Sequence, residues 1–193
     1  PTWSAPDESD VLHEDPGYDP SIGGSMQEVT WAGGQEFWTV GSNGLIYHSD
    51  PTLGPASLWT QFVPPTERYE DFQAFSIEGV SFSGTNDGIF VGQRLVGTSR
   101  LGKAYHYHNS GSTITWTEIA ILDETNLVLI ADVAFAGSTA YAVGLRDFGT
   151  SKQGVVMTAI LTGGAFGPLK AKTQTFGECT VGEALGGVPV LSE

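Results

Sequence analysis

The sequence predicts an all-β chain of three four-stranded antiparallel repeats in an open or incomplete arrangement, preceded by an irregular N-terminal arm. Three observations carry this prediction. Gly accounts for 26 of the 193 residues while only 16 % are charged, a composition suited to strands and turns rather than long helices. Apolar residues alternate in short runs, so that the first and third residues of "VTW", "VSF" and "VAF" share a face. These runs also recur at intervals of 51 and 53 residues, from Val29 to Val80 to Val133.

Taken in order, residues 1–27 read as the arm. Six carboxylates between Asp7 and Asp19, interspersed with proline, cannot bury enough apolar surface to offset the entropy of ordering. Residues 28–193 read as one β-repeat domain. The repeats are 29–62, 80–119 and 133–170. Each opens on Val, a small residue and an aromatic, then turns through small residues into a second strand ending in Val-Gly (40–41, 91–92 and 143–144). A third strand resumes after Gly44, Gly102 or Gly154, and a fourth follows a Gly/Ser/Pro-rich turn. The tail after Phe176 is Gly-rich and can supply one last strand.

The repeat length is that of a four-stranded propeller blade. The pattern resembles blades of the sialidase-type and photosystem-assembly-type β-propellers over residues 28–172, with Trp59 and Trp116 in the usual tryptophan position and Leu169 replacing it in the third repeat. The Asp-box of such blades is degraded here to "HSDPTLGPASLW". The resemblance implies propeller-like repeats. Closed propellers have about four to eight blades, hence the open or incomplete arrangement.

Composition narrows the function. A net charge of −14 with only 8 Lys plus Arg leaves no basic stripe, which excludes nucleic acid and anionic membrane surfaces as partners. No apolar run is long enough to insert in a membrane, and the lone Cys179 allows no internal disulfide. A first residue Pro1 in place of methionine reads as a processed or cut chain, which export with leader removal or a recombinant boundary would each leave; a secreted or cell-surface location is the expectation. No nucleophile elbow, phosphate loop or arginine cluster is present, and the chain is not expected to be an enzyme.

The histidines are the candidate chemistry. His106 and His108, in "GKAYHYHNSG", stand at i and i+2 on a strand and face one side. His48, in "GLIYHSDP", matches His106 when aligned from the preceding glycine and His108 when aligned on "YH". Equivalent ends of third strands in successive repeats bring imidazoles together, so His48 and at least one of His106 and His108 are expected to bind one metal ion. Two imidazoles without clustered thiolates or carboxylates suit low-coordinate copper(I) better than structural zinc. Calcium is a second possibility, drawing on the arm's carboxylates.

The acidic, Trp-rich, Cys-poor character of the chain with its sparse histidines also resembles the copper-repressible surface proteins of methane-oxidising bacteria. That resemblance implies one copper(I) held by two imidazoles and a tryptophan oxidised to kynurenine. The Trp-x-His motif of one member is absent, so the resemblance assigns no particular tryptophan. The competing expectation is a metal-free module that binds a glycan or a protein.

Overall fold

The structure is a computed structural model describing residues 25–33, 36–49, 59–62, 75–122 and 125–180, with side chains omitted at 59–61 and 172–180. Among the described residues, fourteen strands form three sheets and no α-helix occurs. The first sheet has the order β1 (Met26–Gly33), β2 (Glu36–Gly41), β3 (Ile46–Ser49), β4 (Trp59–Gln61). The second has β5 (Phe75–Phe82), β6 (Asp87–Val96), β7 (Ser99–Asn109), β8 (Ile114–Glu118). Both are antiparallel meanders, as the alternation predicts.

The third sheet is larger than expected. Strands β10 (Leu127–Ala136), β11 (Thr139–Asp147), β12 (Ser151–Thr162) and β14 (Leu169–Thr180) repeat the antiparallel order. The short β9 (Ile121–Leu122) then adds in parallel to β14, and β13 (Ala165–Phe166) pairs with β12. Strand β1 starts at Met26, inside the stretch expected to be the arm, while residues 1–24 lie outside the described residues.

Register confirms the equivalences across the repeats. Val40, Val91 and Val143 stand opposite Ile46, Ala104 and Val156 on the third strand of their own sheet. Ser49, Tyr107 and Ala159 stand at corresponding places on the third strands. Trp59 and Trp116 lie across from the first two, and Lys170 across from Thr158 puts Leu169 in the same place in the third sheet.

The Val-Gly pair has a physical reason. The first strand of each sheet has a register irregularity here, between Met26 and Glu28, between Ile77 and Gly79, and between Ile130 and Asp132. Backbone carbonyls of that strand, or of the residue just before it, press on the glycine: a Cβ on Gly41 or Gly92 would collide with the carbonyl oxygen of Ser25 or Ser76, and one on Gly144 would lie 2.7 Å from that of Leu129. In the second and third sheets these glycines do not end the strand. Strands β6 and β7 run on past Gly92 and Gly102 to a two-residue loop at Gly97 and Thr98, where Gly97 takes φ +62°.

Two cores separate the three sheets. Trp38, Val40 and Ile46 of the first sheet pack with Phe75, Ile77, Phe90, Tyr105, Tyr107 and Trp116 of the second. Ile89, Val91 and Ala104 of the second pack with Ile130, Val133, Ala140, Ala142, Val155 and Met157 of the third. The second sheet is therefore covered on both faces, which explains the unbroken apolar run "IFV" at 89–91. Tyr105 and Tyr107 face the first sheet, and the intervening His106 faces the third.

Candidate metal centre

The site is built at the junction of the second and third sheets. Strand β7 carries His106 and His108 on one face, and β6 opens on Asp87 directly across from His108 in the antiparallel register. His106 stands opposite Ile89, two places along, so Asp87 is its diagonal neighbour on the same face. Asp87 Oδ1 lies 2.9 Å from His106 Nε2 and 2.8 Å from His108 Nδ1. One donor atom from each of the three residues falls within 4.8 Å of the others.

The third sheet forms the wall. The Phe166 ring meets His106 edge-on at 4.7 Å and lies tilted at 5.7 Å from Phe135. The turn between β12 and β13 passes over His108, because a Cβ on Gly164 (φ +77°) would lie 3.5 Å from His108 Cε1. His106 is buried, whereas His108 keeps 32 % of its side chain exposed, so the site opens on one side.

Burial lowers the pKa of His106 below its ordinary value, with the Asp87 hydrogen bond and charge opposing the shift. A neutral imidazole at neutral pH is the form that binds a metal. Without an ion, Asp87 Oδ1 accepts a hydrogen bond from each ring when Nε2 of His106 and Nδ1 of His108 carry their protons. An ion would replace both protons.

His48 occupies the position in the first sheet that matches His106. It stands opposite Trp38 as His106 stands opposite Ile89, which settles the alignment in favour of the preceding glycine. The structure does not bring His48 into the cluster of Asp87, His106 and His108. The His48 ring stacks on Trp38 at 5.0 Å and 24°, and its Nδ1 lies 3.6 Å from Glu36 Oε1. Glu36 is the first-sheet counterpart of Asp87, so a carboxylate–imidazole pair recurs at equivalent places in two sheets. The third sheet has Thr139 and Thr158 there and keeps no such pair.

Asp87 was not among the residues expected from sequence. The signal for it is cross-strand: it appears only once the second and third strands of a repeat are paired through Gly97 and Thr98 as one long hairpin. The tryptophans with described side chains do not face the cluster. Trp38 and Trp116 point into the core between the first and second sheets, and Trp31 is exposed on the outer face of the first. The arm carboxylates proposed for calcium lie outside the described residues. Comparison with known proteins yields no relative: no family model, no curated protein and no solved structure matches this chain.

Proposed function

We propose that the protein binds one first-row transition-metal ion through Asp87 Oδ1, His106 Nε2 and His108 Nδ1, on a stack of propeller-like sheets left open at both ends. The convergence of the three donor atoms carries this reading. Tetrahedral coordination at about 2.0–2.1 Å sets donors about 3.3 Å apart, so the contacts of 2.8 and 2.9 Å open by a few tenths of an ångström while the two ring nitrogens, within 4.8 Å of each other, draw together. Two imidazoles and one carboxylate favour a borderline divalent ion, zinc or copper(II), over the copper(I) expected from imidazoles alone, and they lack the oxygen donors calcium requires. A fourth position on the exposed side of His108 takes water or a donor from solution. A secreted or cell-surface location belongs to this reading, and fractionation of source cells checks it.

The test is competition between the protein and a chromophoric chelator for zinc, copper(II) and copper(I). One equivalent of ion is expected to bind, and Asp87→Asn, His106→Gln and His108→Gln are each expected to weaken binding by about tenfold or more. His48→Ala retains it. Affinity falls as the pH is lowered, because protonation of an imidazole to imidazolium competes with the ion. Equal binding by all variants, or no stoichiometric binding at pH 7.5 (about one unit above the ordinary histidine pKa), would leave the triad a hydrogen-bonded strand feature and overturn the proposal.

A further inference from the structure

The two ends of the sheet stack present the same repeat positions that are buried inside it. The face of the first sheet that carries Val40, and that of the second that carries Val91, are covered by the next sheet, and both valines are 0 % exposed. Their equivalent on the third sheet, Val143, is 45 % exposed, flanked by Tyr141 and Ile160 on the same face. The opposite face shows the converse. Val80 and Val133, which open the second and third repeats, are 1 % and 4 % exposed because the preceding sheet covers them. Their first-sheet equivalent Val29 is 48 % exposed, and Trp31 beside it 59 %.

We propose that the uncovered face of the third sheet docks on the uncovered face of the first sheet of a second copy of this chain. The argument for this occupant is continuity. Among the described residues, each sheet-to-sheet interface joins a Val40-type face to a Val80-type face, and the stack ends with one such face of each kind exposed. A second copy offers both partners at once. Two copies related by a two-fold axis make both contacts together, and their sheets number six, within the range of about four to eight in which propeller rings close. The apolar residues left exposed, Val29, Trp31 and Phe37 on one end and Tyr141, Val143 and Ile160 on the other, are then covered. This inference rests on the propeller-like reading of the sheets. The metal site lies within one chain, so its titration succeeds or fails separately.

The experiment is sedimentation of the 193-residue chain with Trp31→Asp and Val143→Asp variants, alone and mixed. Both positions are exposed, so the monomer fold is expected to survive, and far-ultraviolet circular dichroism checks it. Wild type is expected at twice the chain mass of 20.4 kDa, and each variant alone at the chain mass. Each homodimer contact uses one Trp31 face and one Val143 face, so either substitution spoils both contacts. A mixture of the two variants keeps one contact with two unaltered faces and is expected to recover part of the dimer. Monomeric wild type overturns the proposal. So does a dimer that only one of the two substitutions dissolves, since that means one face pairs with itself.

Discussion

At the scale of single residues, register does more than composition to define the site. His106 and His108 are legible in the sequence because alternation on a strand puts i and i+2 together. Asp87 is not, because its relation to His108 depends on pairing two strands whose glycines read like strand ends. Glu28 is a second residue whose character comes from its setting. It stands opposite Val40 on the face turned to the second sheet and accepts the Val80 N–H at 2.6 Å. Burial raises its pKa above the ordinary value, the Val80 hydrogen bond works against this, and the Asp132 charge adds to the rise. A carboxyl whose folded pKa is raised favours the folded state most when protonated, and that contribution is lost as pH rises through the folded value. Glu28→Gln, which keeps an acceptor for Val80 and removes the charge, is therefore expected to raise the melting temperature at pH 8. The gain should shrink towards pH 4, below the ordinary carboxyl value of 4.5. A gain that grows on acidification would contradict this assignment.

At the scale of elements, the repeat unit is a bulged first strand against a Val-Gly second strand. Val40 and Val91 face the neighbouring sheet while Val143 faces outward, and in each sheet Gly makes room for a carbonyl at the bulge. The recurrence of Val-Gly is legible in the sequence; its reading as a strand end is wrong for two of the three sheets. A glycine at a turn and a glycine under a carbonyl look alike in one dimension, and only the partner strand distinguishes them. The six-stranded third sheet was unreadable for a similar reason: β9 is two residues long, and parallel addition at an edge leaves no local pattern. Gly92 provides the test. Gly92→Ala places a methyl group against the Ser76 carbonyl in a strand paired on both sides, and overpacking of this kind costs about 1–3 kcal/mol. A urea midpoint that falls while the slope stays constant is the expected result. An unchanged midpoint would show that the bulge yields freely.

At the scale of the whole molecule, the second sheet is the structural centre. Its strands β6 and β7 are hydrogen-bonded on both sides, and their side chains enter both cores, Ile89, Val91 and Ala104 into one and Phe90, Tyr105 and Tyr107 into the other. Exposing an amide of β6 or β7 requires breaking a strand ladder in a sheet that two others lean on, so their opening approaches global unfolding. The edge strand β1 is different. It pairs on one side only, and Val29 and Trp31 on its outer face are exposed. Native-state hydrogen exchange is therefore expected to be slowest in Gly88–Gly92 and Ala104–Tyr107 and faster by orders of magnitude in Val29–Trp31. Phe90→Ala, which removes a ring in contact with Trp38, Tyr107 and Trp116, is expected to cost about 3–5 kcal/mol. Because the second sheet joins both cores, that loss should reach the third sheet as well. It should lower the slowest protection in β12 together with that in β2, within one cooperative transition. Exchange in β12 that stays at its wild-type rate while β2 loosens would mean that the third sheet holds itself together, and the second sheet would then be a neighbour rather than the centre.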